Sequence, residues 1–300
     1  MSAGYQHPDY VASLSEFGEP LLLPGSGGAL LVRPIPGSDA RDAMGAYPLL
    51  SCSDWSGLPD DLETRTEGLV SVVAVTDPFG NYDEALLERC FDFVRPWKHH
   101  FVADSELPVE KIASKNHRKM SRRAQRLVEV ETCADPSAHA DEVHALYGVL
   151  IERHGLRGIH AFSKQSLARQ LEVPGMVMFR ATHEGEVVGL DLWYVQDDVA
   201  QGHLAMFSEK GYEVRASFAT KWHLIEHFRG RARWINFGGA AGTDPDADDG
   251  LTRFKRGWSS ETRPSYLCGK ILDPKAYDAL VAEAGAEGAY FPLYRAGEFA

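Results

Sequence analysis

The stretch MVMFRATHEGEVVGLDLWYVQDDVAQGHLAMFS, residues 176–208, decides how the chain is read. Its apolar residues fall into strand-length runs interrupted at Glu184-Gly185 and at Gln196 to Asp198, and short polar or glycine breaks between such runs mark hairpin turns. Three consecutive antiparallel strands are therefore expected, over 176–183, 186–195 and 200–208. EKGYEVRA, residues 209–216, follows as a glycine-containing loop that opens onto a helix over 217–228. In that helix Phe218, Trp222 and Ile225, with Leu224 and Phe228 beside them, form the core face. Trp234 to Phe237 reads as a further strand, followed by GGAAG and the acidic loop TDPDADDG. The alternation of Asp244, Asp246 and Asp248 is calcium-like, but the glycine is one place late and Lys255 stands where a chelating glutamate belongs. No metal site is expected. RFKRGW, residues 253–258, then gathers Arg253, Lys255 and Arg256 with two aromatics. At strand periodicity Arg253 and Lys255 share one face, with Phe254 and Arg256 on the other.

Working outward, Ala138 to His154 and Ser163 to Val173 carry apolar residues at helical spacing, and Ser163 suits an N-cap. His154 and His160 flank the loop between these two helices and read as structural or exposed. KNHRKMSRRAQRLV, residues 115–128, concentrates Lys115, Arg118, Lys119, Arg122, Arg123 and Arg126 within little more than three turns. Met120, Ala124 and Leu127 give this helix a narrow apolar stripe. Its arginines are either a solvated face or a clamp for phosphates, which planar guanidinium forks bind in pairs. Upstream, LVSVVAVTD (residues 69–77) has the β-branched content of a buried strand, and residues 81–94 read as a helix. Short apolar runs at 21–23 and 29–32 add two strands, so the first hundred residues form a small mixed α/β unit.

Three hundred residues with 44% hydrophobic content can bury one large core or two modest ones. A formal charge of -12 argues against coating nucleic acid by bulk charge, and no DNA partner is expected. Cys52, Cys90, Cys133 and Cys268 are widely spaced without a CxxC pair, as expected of free thiols in a reducing compartment. No apolar run is long enough to span a bilayer, and the N-terminus MSAGYQHPDY lacks the basic start and apolar core of a signal peptide. A cytoplasmic location without membrane insertion is the expectation.

The order of hairpin, third strand, loop, helix, WINFGG, variable loop and GLTRFKRGW resembles the C-terminal lobe of GNAT-like acyltransferases of the FemAB and BioF2-like (CelD-like) group. KNHRKMSRRAQR resembles the basic segment that precedes the helical connector in the same group. The resemblance covers roughly Lys115 to Leu272. It implies an α/β (α+β) fold of two GNAT-like lobes, each a mixed, mostly antiparallel sheet flanked by helices, with a cleft between them. The corresponding division is a degenerate N-terminal lobe over 1–108, a basic helix and helical connector over 109–175, and an acyltransferase lobe over 176–300. It also implies N-acyl transfer to an amine acceptor, small molecule or peptide, from acyl-coenzyme A or from aminoacyl-tRNA, with no tightly bound cofactor. The acidic balance favours acyl-coenzyme A slightly; charged tRNA and a non-catalytic ligand-binding member of the fold are the alternatives. EKGYEVRA departs from the usual GNAT phosphate-binding loop.

Acyl transfer needs a deprotonated amine, a polarised carbonyl and a proton for the leaving group. Lys255 is the candidate for the carbonyl, Asp191 or His203 for the amine proton, and Tyr212 for the leaving group. Lys210, Gly211, Arg215 and Arg253 are the candidate donor contacts. Arg122, Arg123, Trp193 and Trp258 are the candidate substrate contacts.

Overall fold

The computed structural model describes residues 2–240 and 249–298. In chain order its elements are α1 (Pro8–Ser13), β1 (Glu19–Leu23), β2 (Gly28–Pro34), β3 (Arg41–Gly45), α2 (Leu58–Arg65), β4 (Ser71–Val75), α3 (Glu84–Cys90) and β5 (Phe93–Asp104). There follow α4 (Val109–Ile112), α5 (Lys115–Ala124), β6 (Glu129–Thr132), α6 (Ala140–His154), α7 (Lys164–Glu172), β7 (Met176–His183), β8 (Glu186–Gln196) and β9 (Val199–Phe207). The series ends with α8 (Glu209–Glu213), α9 (Ala216–Phe228), β10 (Trp234–Asn236), α10 (Gly250–Arg256), β11 (Glu261–Ile271) and α11 (Pro274–Ala284).

These elements sort into two compact units. The first comprises Tyr5–Trp97, Arg157–His160 and Ser265–Ala300, and the second Met1–Gly4, Lys98–Leu156 and Ala161–Pro264. In the first, β1, β2 and β3 are antiparallel, β3 runs parallel to β4, and β4 pairs antiparallel with β11. In the second, β6, β7, β8 and β9 are antiparallel, β9 runs parallel to β10, and β10 pairs antiparallel with β5. Each unit thus repeats one scheme, in which a meander leads through a helix into a parallel neighbour. The first buries Leu30, Val32, Trp55, Leu62, Val72 and Leu87 against one another, and the second Phe179, Trp193, Leu224, Ile225, Phe228 and Trp258. The fold is mixed α/β with mostly antiparallel sheet, as the sequence led us to expect.

The hairpin read from residues 176–195 is present, and its turn residues Glu184 and Gly185 take φ of 53° and 84°. Positive φ at both central residues gives the turn a twist that matches the strands it joins.

Three local expectations are corrected. RFKRGW is largely helical, because Asp249 caps α10 by accepting from Leu251 N at 2.6 Å and Thr252 N at 2.9 Å. Alternating charge within one turn therefore does not sort by face as in a strand. The loop expected at EKGYEVRA holds the short helix α8, capped by Ser208 Oγ accepting from Gly211 N at 3.1 Å. In α5 the buried positions are His117, Ser121 and Ala124, whereas Leu127 lies beyond the helix and is exposed. The acidic residues 244–248 lie outside the described residues.

The C-terminal segment is fastened into the first unit by a buried charge network. Arg295 donates from Nε to Asp42 Oδ2 at 2.5 Å and from Nη2 to Asp42 Oδ1 at 2.9 Å. Tyr294 Oη adds a bond to Asp42 Oδ2 at 3.0 Å, and Asp42 has no exposed surface. Removing one member of such a pair strands its partner in a low-dielectric interior, at a cost of about 3–5 kcal/mol, whereas replacing both with apolar residues costs much less. Asp42→Ala is accordingly expected to lower the urea unfolding free energy by about 3–5 kcal/mol. The double variant Asp42→Leu, Arg295→Met should recover most of that loss, and equal losses in the two would show that the pair is not electrostatically sealed.

Candidate functional site

The second unit opens at the end of its parallel pair. The ladder between β9 and β10 stops at Gln201 beside Asn236, while β9 continues to Phe207. Beyond Asn236 the chain turns through Phe237, Gly238 and Gly239, and Gly238 has φ of 80°. The carboxyl end of a parallel pair is where α/β sheets place ligands.

The side chain of Asn236 takes over where the backbone ladder ends. Its Oδ1 accepts from Gly238 N at 2.9 Å and meets His100 Nδ1 at 3.1 Å, and its Nδ2 donates to Gln201 Oε1 at 2.6 Å. Because an amide oxygen accepts, His100 donates from Nδ1. Burial, with the nearby charges of Lys255 and Lys98, pushes the His100 pKa down to about 4, so the ring is neutral at pH 7.

Two lysines meet at this turn, and a third lies close enough to act on one of them electrostatically. Lys255 Nζ, from α10, donates to Gly239 O at 2.7 Å. Lys98 Nζ, from β5, donates to Ala240 O at 3.1 Å. Lys221, from α9, donates to Asp191 Oδ2 at 2.5 Å with its ammonium 4.9 Å from the Trp193 ring centre. Burial, then the repulsion of Lys221 and Lys98, lowers the Lys255 pKa to about 7, against an attraction from Asp249. Lys98 is also lowered by burial. A lysine with that pKa takes up or releases a proton within the physiological range.

α10 is positioned by His117 of the basic helix. His117 Nε2 lies 3.0 Å from Phe254 O and Nδ1 lies 2.8 Å from Ser114 Oγ, so the neutral ring donates to the carbonyl and accepts from the hydroxyl. Phe218, Phe254 and Trp258 surround the ring. Gly257 is required here, because a Cβ would collide with the imidazole. The peptide that carries Lys255 is thus held by α5.

The expected site residues separate. Lys255 lies at the turn, and Asp191 reaches it through Lys221. Asp191 is 1% exposed, and its other oxygen accepts from Trp193 Nε1 at 2.8 Å. Both oxygens are therefore engaged, one by Lys221 and one by Trp193. His203 donates from Nε2 to Gln170 Oε1 at 2.7 Å, and burial lowers its pKa to about 3. That nitrogen carries its proton already, which gives the ring a structural part. Trp193 and Trp258 are buried within the apolar core of the second unit. Tyr212 is exposed on α8, with the Arg153 guanidinium 4.2 Å from its ring centre. Lys210 pairs with Glu213 at 3.3 Å on the surface. Arg215 takes φ of 61° before α9 and donates to Met120 Sδ. Arg253, Arg122 and Arg123 are exposed on α10 and α5. Gly211 serves packing, because a Cβ there would strike Val188 O.

Lys98, Lys221, His100 and Asn236 were missed by sequence reasoning. Lys221 had a visible signal: it precedes Leu224, Ile225 and Phe228 by three, four and seven residues, which puts a cation on the apolar stripe of α9. Isolated lysines in strands and loops give no such sign.

Comparison with known proteins agrees with this architecture. Residues 113–256 match the family model described as an acetyltransferase (GNAT) domain. The structure is similar to that of FemX, at 12% identity over 84% of this chain and 86% of that one, with a TM-score of 0.62. It is similar also to the C-terminal domain of a putative lysylphosphatidylglycerol synthetase from Agrobacterium fabrum, at 16% identity over 96% and 95% of the chains, with a TM-score of 0.63. L-PGS from Bacillus licheniformis is another such structure, at 15% identity over 89% and 93%, with a TM-score of 0.57. At these identities the likeness carries the fold. No curated protein matches.

The domain match and the fold support an acyltransferase with a GNAT-type domain over residues 113–256. Within that class, the chain resembles the FemAB-like group.

The depressed pKa of Lys255 has a consequence for stability. Its folded value of about 7 lies below the ordinary 10.5, so between these limits the unfolded chain binds more protons than the folded one. The charge therefore opposes folding most below pH 7, and the penalty fades as pH rises towards 10. Lys255→Met is expected to raise the thermal midpoint at pH 6, with the gain shrinking by pH 10. A shift of equal size at both pH values would contradict the assignment.

Proposed function

We propose that the protein is an N-acyltransferase whose acyl group arrives on an aminoacyl-tRNA and passes to an amine. The observation that carries the choice of donor is the state of the segment at which a coenzyme A pyrophosphate would dock. There the amides of Gly211, Tyr212, Val214 and Arg215 donate respectively to Ser208 Oγ, Ser208 O, Lys210 O and Tyr212 O. A pyrophosphate cradle needs such amides unsatisfied and pointed outwards. These residues do not fit that role.

The exposed face of α5 supports the same donor. Lys115, Lys119, Arg122, Arg123 and Arg126 are exposed, and among the described residues no salt bridge engages them. They form a local cationic surface on a chain of net charge -12. Such a surface is the footprint of a phosphate backbone bound by counterion release. The names of the FemX and lysylphosphatidylglycerol synthetase neighbours are consistent with a transferase reading.

In the reaction, the acceptor nitrogen attacks the ester carbonyl and a carbon–nitrogen bond forms. The bond from that carbon to the ribose oxygen breaks, and a proton passes from nitrogen to the departing oxygen. Lys255 in its ammonium form polarises the carbonyl, and it gains most when charge develops on that oxygen. Lys98 and Lys221 reinforce the potential, while His117 fixes the peptide that carries Lys255. The acceptor is a small molecule or peptide with a free amine.

Acyl-coenzyme A remains the second reading, favoured by the acidic overall charge and by the description of the matching domain. Lys255→Ala should lower kcat about 10²-fold or more while the protein stays folded. Reversing Arg122 and Arg123 to Glu should weaken binding of charged tRNA and flatten its dependence on salt, the slope falling by roughly one for each lost phosphate contact. Thermal stabilisation by acetyl-coenzyme A, with no salt-sensitive tRNA binding, would instead establish the second donor.

A further inference from the structure

The hydrogen bonds around Asn236 settle which nitrogen of His100 carries the proton. A backbone amide can only donate, so the Asn236 side-chain atom 2.9 Å from Gly238 N is the amide oxygen. That oxygen can only accept, and His100 Nδ1, 3.1 Å from it, is therefore a donor. A neutral imidazole has one N–H, which leaves the ring's lone pair on Nε2. Burial is the first cause of the low His100 pKa of about 4, and the charges of Lys255 and Lys98 add to it against the bond to Asn236. His203 is the opposite case, because its Nε2 donates to Gln170 Oε1 at 2.7 Å.

The ring edge that carries this lone pair lies along the turn after β10. A Cβ built onto Gly239 would stand 3.6 Å from His100 Cδ2, the carbon bonded to Nε2. Gly238 and Gly239 are half-buried, and neither puts a side chain against that edge. Lys255 Nζ meets the same turn, donating to Gly239 O at 2.7 Å. A hydrogen-bond acceptor and an ammonium donor therefore front the same two glycines. We infer that His100 is a catalytic residue of the acyl transfer, its Nε2 accepting an N–H of the incoming amine and so aiming the amine's lone pair at the carbonyl that Lys255 polarises. The inference rests on the acyl-transfer reading and adds to it the contact made by the acceptor nitrogen.

A free amine has both an N–H to give and a lone pair to attack with, and holding the first orients the second. As the carbon–nitrogen bond forms, positive charge grows on the nitrogen. Its N–H bond to Nε2 becomes charge-assisted and is then stronger than in the ground state, which is the condition for lowering the barrier. The electron pair of the breaking carbon–oxygen bond goes to the ribose oxygen. The proton leaves the nitrogen by way of Nε2 and ends on that oxygen, and the low proton affinity of His100 ensures that the ring hands it on and returns neutral. No further reactant is needed for the balance.

Two measurements on the full chain test this. The first records the histidine nitrogen resonances of isotope-labelled protein at pH 8, with His100 assigned from the spectrum of His100→Asn or His100→Gln. Expected are a protonated Nδ1 and a bare Nε2 whose resonance moves when glycinamide, a primary amine, is added. Tetramethylammonium, which has no N–H, should leave it in place. The second measures acyl transfer to glycinamide from a mixture of aminoacylated tRNAs and, separately, from acetyl-coenzyme A. His100→Asn keeps an N–H where Nδ1 stands and so retains the bond to Asn236 while losing Nε2. Its kcat should fall by about 10²-fold or more with an unchanged KM for the donor. If the wild type transfers from neither donor, the acyl-transfer reading fails, and the glycinamide shift still decides the assignment of His100. A proton found on Nε2, a resonance that glycinamide leaves unmoved or that tetramethylammonium moves equally, or transfer by His100→Asn at the wild-type rate would overturn the inference.

Discussion

One asparagine side chain sets the geometry on which the candidate site depends. Where the β9 and β10 strands part, backbone groups lose their ladder partners, and unpaired buried groups are costly. Asn236 resolves this with a single amide: it binds Gly238 N ahead of it, Gln201 on the neighbouring strand and His100 on the other side. The turn that follows is held by these bonds, by Phe101 N donating to Gly238 O at 3.0 Å, and by the buried Phe237 ring against Trp193. Gly238 and Gly239 can then stand beside Lys255 and Lys98, where a larger side chain would press on them. The neutrality of His100 belongs to the same arrangement, because a second cation at that position would add to the repulsion already acting on Lys255.

The lysines tolerate this neighbourhood for different reasons. Lys221 is the most buried and carries its own counter-charge in Asp191, with the Trp193 face beneath its ammonium. Such a pair recovers in Coulomb attraction what each ion loses in desolvation when its remaining positions are hydrogen-bonded. Lys255 has the Gly239 carbonyl instead, which orients the ammonium without cancelling its charge, and its pKa bears the difference. Two groups of one chemistry, close together, are thereby given different proton affinities by what surrounds them. This is the usual physical route by which a site acquires both a fixed charge and a responsive one.

The sequence was informative about the fold in proportion to how local the deciding interactions are. The hairpin at Glu184-Gly185 and the helix bearing Phe218, Trp222 and Ile225 follow from turn chemistry and periodicity, and both are present. The strand reading of RFKRGW fails because its helical state depends on the cap supplied by Asp249, and six residues mixing cations with aromatics have no period of their own. On the basic helix, the expected apolar stripe missed the buried His117 and Ser121, since a polar residue is buried there only by virtue of partners far along the chain, such as Phe254. Long-range convergence hid most of the site in the same way. Lys98, Lys221 and Lys255 are separated by more than a hundred residues between the first and second, and no spacing rule links a strand with two separate helices.

The repeated strand scheme ends differently in the two units. In the first unit the parallel pair is β3 with β4, and the corresponding end of β4 leads into Thr76 and Asp77. There Asp77 accepts from Ser51 Oγ at 2.8 Å and Phe79 N at 3.0 Å, Thr76 Oγ1 lies 2.7 Å from Tyr82 Oη, and the Tyr82 and Trp55 rings meet at 4.5 Å. Gly80 permits the closure, since a Cβ there would press on both rings. A carboxylate satisfied by local donors and covered by aromatics has no capacity left for a ligand. The equivalent end in the second unit has glycines where the first has aromatic cover, and cations where the first has an anion. A common framework thus ends in a carboxylate beside aromatic rings in one unit and, among the described residues, in glycines beside lysines in the other.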